Sequence, residues 1–319
     1  MAKVSIKEGK MQTDNIITHE ILSQRLSYPL EIKEVFSAKR ISEWYNNFGG
    51  EVYVSFSGGK DSTVLLDLVR KQYPDVPAVF MDTGLEYPEI REFVKTIDNV
   101  VWVKPKMAFN EVLTKYGYPV VSKTTSMGIS RYINTKSDLQ KKLRLYGGIN
   151  PTSGKKQYPS ISKKWHYLVD TEFKISDKCC DVLKKNPAKL YEKETGRKPI
   201  IGTMVGESRL REQNYISKGC NSFEGSAKSA PISIWTEDNI WEYIKKYDLP
   251  YSKIYDMGYS RTGCMFCMFG VHLEKQPNRF QQMAVTHPKQ YKYCINKLGL
   301  GKILDRINVD YRSQSLLSL

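Results

Sequence analysis

Residues Ser57 to Ser62 read Ser-Gly-Gly-Lys-Asp-Ser, between the apolar, β-branched run Val52 to Phe56 and a helical pattern of Val64, Leu65, Leu68 and Val69. Strand, glycine turn and helix start, in that order, suit a phosphate. Gly58 and Gly59 let successive N–H groups turn toward one anion, and the helix adds its unpaired amides and positive dipole end. Lys60 supplies a mobile charge, and Ser57 and Ser62 supply hydroxyl donors. The Gly-x-x-x-x-Gly-Lys-Ser/Thr spacing of a Walker A loop is absent.

The second chemical signal is sulfur. Of six cysteines, Cys264 and Cys267 form a C-x-x-C after Gly258 and Gly263, and Cys179 and Cys180 form a vicinal pair at an expected helix start. A C-x-x-C alone reads as half a zinc knuckle or a redox dithiol. Two adjacent side chains reach two corners of a bulky cube more easily than two sites of a compact tetrahedral ion. The four thiolates therefore favour a [4Fe–4S] cluster over Zn²⁺. Cys220 and Cys294 lack such partners and read as small core residues.

These groups need a scaffold that aims loops at one crevice. Val52 to Phe56, Ala78 to Met81, Val100 to Val103 and Pro199 to Met204 read as strands, with amphipathic stretches such as Tyr87 to Ile97 between them. This βαβ rhythm predicts an α/β fold with a doubly wound, mainly parallel sheet, whose ligands sit beyond the carboxyl ends of the strands. After the second strand, Asp82 and Thr83, with Gly84, could hold a ribose or base, although Asp-Thr-Gly is also an ordinary turn. After the fourth, Arg209 and Arg211 could meet an anion. Lys10 to Phe48 is expected to be a helical segment beside the nucleotide domain, with Ile16 among its periodic positions. The expected organisation is residues 1–48 helical, 49–260 a nucleotide-binding domain with a basic insertion at about 104–165, and 261–319 a cysteine-containing helical extension. Within the insertion, Lys123 to Lys164 has poor periodicity and reads as an insertion or lid.

With 319 residues and 40% hydrophobic composition, one large or two modest cores can form. No apolar stretch is long enough to span a membrane and no signal peptide is evident, so a cytoplasmic chain is expected. The net charge is +15. Between Trp102 and Trp165 thirteen Lys or Arg stand against two acids, Glu111 and Asp138, for +11. Tyr116, Tyr118, Tyr132, Tyr146 and Tyr158 are interleaved with them, which suits either a nucleic acid with exposed bases or a solvated insertion.

The Ser57–Ser62 loop resembles the PP-loop of the ATP pyrophosphatase superfamily, with its adenine nucleotide α-hydrolase-like fold. With the cysteines included, the chain resembles the phosphoadenosine phosphosulfate reductase family, particularly the iron–sulfur branch of assimilatory adenylyl-sulfate reductases. The matches run from residue 50 to 270 through Met81 to Gly84, Tyr87 to Glu89, Cys179-Cys180, Gly206 to Arg209, Arg211 to Gln213, Pro231 to Trp235 and Tyr255 to Cys267. The resemblance implies that Cys179, Cys180, Cys264 and Cys267 hold a [4Fe–4S] cluster. It implies that Ser57, Gly58, Gly59, Lys60, Asp61 and Ser62 hold the phosphates of ATP or a sulfonucleotide, with Arg209 and Arg211 as oxyanion clamps.

One departure bears on mechanism. Family reductases carry a nucleophilic cysteine in a C-terminal Glu-Cys-Gly-x-His element, and here no cysteine follows Cys294. An ATP-dependent sulfurtransferase, similar to DNA phosphorothioation enzymes and tRNA thiolases, is therefore expected. It would use Mg²⁺, a nucleic-acid-type acceptor and a sulfur-donor or reductant protein. The alternatives are a sulfonucleotide reductase and a non-enzymatic sensing module. His272 and His287 read as packed residues more readily than as acid or base, and Glu207 as an aid to Mg²⁺ or a solvent-facing acid.

Overall fold

The computed structural model describes residues 17–156 and 160–313. Ile16 and the start of the expected N-terminal helical stretch, Tyr158, and the last six residues of the C-terminal segment lie outside them. Its strands are β1 (Val52–Phe56), β2 (Ala78–Met81), β3 (Val100–Val103), β4 (Val120–Val121), β5 (Lys198–Ile201), β6 (Asn221–Ser222), β7 (Lys228–Ser229) and β8 (Met268–Phe269). The described residues fall into two compact units. One takes in residues up to Ser55, Lys60–Val76 and Lys198–Pro250; the other takes in Phe56–Gly59, Pro77–Arg197 and residues from Tyr251 on.

In the first unit β1 runs parallel to β5, from Val52 opposite Lys198 to Ser55 opposite Ile201. β5 runs parallel to β7, and β6 closes the edge antiparallel to β7. Helices Leu30–Asn47, Lys60–Arg70 and Glu237–Lys246 pack on one another. Val64, Leu65, Leu68 and Val69 fall on one face of the second of these, at three-to-four spacing, and all are buried. Trp44, Trp235, Tyr243 and Ile41 complete the core. The buried Lys33 is satisfied there, donating to Leu26 O at 2.8 Å and Asn239 Oδ1 at 2.7 Å. The N-terminal helical stretch is two helices, His19–Leu26 and Leu30–Asn47. Pro29 divides them, because the residue before a proline disfavours helical backbone.

In the second unit β2 and β3 pair in parallel, as do β4 and β8. The α/β class with mainly parallel pairing is borne out. Two features differ from expectation. The fourth strand ends at Ile201, earlier than Met204, because Gly202 passes so close to the Asp61 backbone that a Cβ would lie 3.3 Å from its carbonyl oxygen. The stretch after Lys123 also contains two helices, Lys123–Asn134 and Asp138–Tyr146, capped by Ser122 and Ser137. Gly128, inside the first, sits where a Cβ would come within 2.9 Å of Ile161, so the lack of a side chain there permits a close contact. Among the described residues no helix is long and apolar enough to cross a membrane.

Candidate functional site

The glycine turn is pressed into place on two sides. Gly58 has φ +72°, and a Cβ there would lie 2.7 Å from Val94 and 2.9 Å from Ile90, both on helix Pro88–Lys95. A Cβ on Gly59 would lie 2.7 Å from Thr262 Oγ1 and 3.2 Å from the Tyr255 hydroxyl. Only glycines allow this approach. The Gly59 amide donates to Ser57 Oγ at 3.4 Å.

In the first unit, helix Lys60–Arg70 begins with Lys60, whose side chain is 4% exposed. Its Nζ lies 3.2 Å from Glu237 Oε1 and 3.6 Å from Asp61 Oδ1. Ser62, in the first turn of the same helix, is buried. Ser208 caps helix Arg209–Lys218, on which Arg209 is exposed and Arg211 engages the Glu207 carboxylate. Glu207 is thus neither solvent-facing nor unpaired.

The loop after β2 is held by a residue that sequence reading overlooked. Glu86 is buried, and its carboxylate accepts from the Thr83 hydroxyl at 2.7 Å, the Thr83 amide at 3.0 Å and the Leu85 amide at 3.2 Å. Thr83 Oγ1 is spent on the loop itself. Asp82 accepts from Arg91 at 2.9 Å through Oδ2, while its buried Oδ1 has no hydrogen-bond partner. Gly84 takes φ +74°. Leu85 O then accepts from the Met265 amide at 2.8 Å, which ties this loop to the C-x-x-C.

All four paired cysteines lie in the second unit, within electrostatic reach of one another. Cys179 and Cys180 end helix Lys178–Cys180, which continues through a π-helical turn, Asp181–Lys185, into helix Asn186–Thr195. Burial pushes the Cys179 thiol well up, and the charges of Cys180, Cys264 and Cys267 push it further. Burial raises Cys264 against the opposing charge of Lys184, and burial with Cys264 raises Cys267 to about 11. Burial alone would lower Lys184, but Cys264 and Glu86 hold it at about 12. Arg279, also overlooked, donates to Cys267 O at 3.0 Å while paired with Glu274.

The spacing of these donors bears on what they could hold. Zinc would draw four sulfurs to about 2.3 Å from one centre. Among the described residues no three His, Cys, Asp or Glu side chains converge in that way. Burial keeps Cys179, Cys264 and Cys267 as neutral thiols, so a bound cationic group would have to claim them as thiolates.

A cavity of about 620 Å³ opens on Cys264, lined also by Tyr87, Tyr259, Arg261, Thr262, Lys275 and Arg279. Such a volume suits a small ligand. Beneath it His287 is buried, with Nε2 3.1 Å from Glu89 and Nδ1 2.8 Å from Thr286 Oγ1, and the Tyr87 ring lies against it. His272 packs edge-on to Trp165. Both histidines are packed residues, as expected. So are Cys220 and Cys294, buried and each pushed up to about 12 by desolvation.

A family model described as the phosphoadenosine phosphosulfate reductase domain matches residues 51–120 and 106–269. The chain is 28% identical over 239 residues to an adenosine 5'-phosphosulfate reductase of Staphylococcus haemolyticus, covering 72% of this chain and 76% of that protein. It is 27% identical over 275 residues to an uncharacterised protein of Methanocaldococcus jannaschii, covering 84% of this chain and 53% of that one. Among solved structures it is similar to the phosphate complex of a phosphoadenylyl-sulfate reductase from Candida auris. That likeness has a TM-score of 0.44 at 17% identity, over 77% of this chain and 95% of that one.

Proposed function

The chain belongs to the phosphoadenosine phosphosulfate reductase domain family, whose members are sulfur-transfer or sulfur-reduction enzymes, and we propose that this one is an ATP-dependent sulfurtransferase with a nucleic-acid-type acceptor. The cysteines outside the quartet carry the reading. Reduction through a thiosulfonate needs a reactive thiolate, and such thiols are accessible with lowered pKa values. Cys294 is fully buried, donates to Tyr291 O at 3.3 Å and is pushed up to about 12. Cys220 is buried and equally raised. Neither has the character of an attacking nucleophile.

In this reading Ser57, Gly58, Gly59, Lys60, Asp61 and Ser62 hold the phosphates of ATP. Lys60 with Arg209 or Arg211 offsets charge as an acceptor oxygen attacks the α-phosphorus and pyrophosphate leaves. Arg211 must exchange Glu207 for phosphate to take part. The orphaned Oδ1 of Asp82 suits a ribose hydroxyl or an adenine amino group, which would satisfy it. Thr83 and Gly84 shape that loop and do not add a free hydroxyl. Cys179, Cys180, Cys264 and Cys267 would hold a [4Fe–4S] cluster, whose iron, when bound, would carry sulfur; that cluster or a persulfide would be the source of the sulfur that displaces AMP from the activated atom. Lys184 holds positive charge beside Cys264, where an anionic sulfur species or phosphate would need it.

A second reading, sulfonucleotide reduction, is favoured by the similarity to an adenosine 5'-phosphosulfate reductase. Anaerobically purified protein, supplied separately with adenylyl sulfate plus a thiol reductant and with ATP plus bulk RNA or DNA, separates the two. Pyrophosphate release that requires the polynucleotide is the expected result. Robust sulfite formation that depends on Cys294 or Cys220 overturns the sulfurtransferase reading.

A further inference from the structure

We propose that the arm formed by residues 123–156, with Lys163 and Lys164 at its base, grips an unpaired strand of nucleic acid and leads it to the cysteine quartet. The proposal rests on the sulfurtransferase reading for its purpose, but not for its test. The first observation is where the arm is mounted. β4 runs directly into the Ser122 cap of helix Lys123–Asn134, and β4 is paired with β8, Val120 opposite Met268, the residue after Cys267. Ser126 Oγ donates to Val120 O at 2.7 Å and accepts from the Val120 amide at 3.0 Å, which fixes the helix to that strand. Lys123 Nζ donates at 3.0 Å to Asp181, the residue after Cys180. The root of the arm is therefore bonded to a neighbour of each cysteine pair.

The second observation is what the arm presents. From Lys123 to Lys164 ten Lys or Arg stand against one acid, Asp138. Arg131, Lys136, Lys142 and Lys155 are exposed among them. Between these cations the surface also carries large apolar groups: Tyr146 is 70% exposed, Ile149 67%, Ile133 46% and Leu139 41%. A duplex would engage the cations through its phosphates and leave those apolar groups facing water. An unpaired strand uses both, phosphates on the cations and base faces on Tyr146 and the aliphatic groups. An anionic lipid surface matches the same chemistry, but gives no reason for an arm rooted on the quartet.

Fluorescence anisotropy of the full chain with a labelled unpaired 20-nucleotide RNA tests this directly. If four of the exposed cations, Arg131, Lys136, Lys142 and Lys155, each neutralise one phosphate, the single-strand slope of about −0.7 per contact gives a log–log salt slope of about −2.8, or about a 50-fold loss of affinity from 50 to 200 mM salt. The paired variant K142E/K155E should reduce that slope by about half. Tyr146→Ala should weaken binding by about 5-fold or more with the slope unchanged, since stacking is not ionic. Both variants alter exposed side chains, and unchanged circular dichroism will show that each is folded. A blunt-ended duplex that binds as tightly, vesicles of 30% phosphatidylserine that bind with the same salt slope, or a Tyr146→Ala variant of unchanged affinity each overturns the proposal. RNA binding without pyrophosphate release would refute the sulfurtransferase reading alone. Acceptor-dependent release with no effect of the arm variants would refute the arm alone.

Discussion

Gly58→Ala should damage this protein more than its size suggests, by an amount that the structure lets us divide. A Cβ at residue 58 meets Val94 at 2.7 Å and Ile90 at 2.9 Å, closer than real Cβ contacts come, on a backbone at φ +72°. The left-handed conformation costs a non-glycine residue roughly 1–2 kcal/mol, and forcing a methyl into a packed interface roughly 1–3 kcal/mol. Reduced freedom of the unfolded chain returns about 0.4–1 kcal/mol. The net cost is about 3 kcal/mol, a fall of roughly 6–12 °C in Tm for a chain of this class. Gly84→Ala is the matched control, with φ +74° and nothing within 4 Å of its Cβ. It should lose only the conformational part, about 1 kcal/mol or less. Differential scanning calorimetry of both variants, with ATP affinity by isothermal titration, checks the reasoning. Gly58→Ala should also weaken ATP by at least tenfold, because the displaced turn can no longer aim its amides. Equal Tm losses for the two variants would show that the turn is not held against helix Pro88–Lys95.

Lys60→Met keeps the aliphatic stem and removes the charge, so ATP affinity should fall roughly 10- to 150-fold, the worth of one charged hydrogen bond, while the fold survives because Glu237 is half exposed. Cys294→Ala removes a buried, methylene-sized sulfur and should cost about 1 kcal/mol of stability in thermal melts, with sulfur transfer unchanged. His272 has its pKa lowered from 6.5 by burial and then by the Lys164 charge. A depressed pKa means that the unfolded chain takes up the proton first, so this stability is present above pH 6.5 and is lost as pH falls below it. The Tm advantage of the native chain over His272→Gln should accordingly shrink between pH 7.5 and pH 5.

How much of this was legible depended on whether a residue's job is local. Val52–Phe56, Ala78–Met81 and Val100–Val103 are strands at the expected bounds, because short apolar, β-branched runs closed by turn residues specify strands without help from afar. The two-residue β4 and β8 are invisible in sequence: Val120-Val121 and Met268-Phe269 pair only because tertiary contacts bring them together. The same holds for the site. Glycines and paired cysteines announce themselves by spacing, whereas Glu86 and Arg279 are one acid and one base among many until the fold closes a loop around each. Lys184 could have been found, since it lies four residues after Cys180 on a helical stretch and so near its face. The π turn at Asp181–Lys185 adds a twist that spacing does not encode.

The quartet also differs from a zinc finger in what holds it up. In a zinc finger the metal supplies the folding energy, so the metal-free chain is unfolded. Here the C-x-x-C segment is fixed by groups that are not thiols. Met265 N–H binds Leu85 O, Cys267 N–H binds Cys264 O at 3.1 Å, Arg279 binds Cys267 O, and β8 pairs with β4. Met265, Phe266 and Met268 are buried beside them. The vicinal pair sits on a helix continuous with Asn186–Thr195, whose buried Tyr191 and Pro187 need no metal. With the proposed cluster bound, removing its iron with a chelator under anaerobic conditions should therefore bleach the visible absorbance but leave far-UV circular dichroism and a cooperative melt intact. Cys179, Cys264 and Cys267 should then be protonated and slow to alkylate at pH 7, since burial raises all three. Collapse of the melt on chelation, or rapid alkylation of Cys179, Cys264 and Cys267, would mean that the metal organises these segments and that the contacts just named do not suffice.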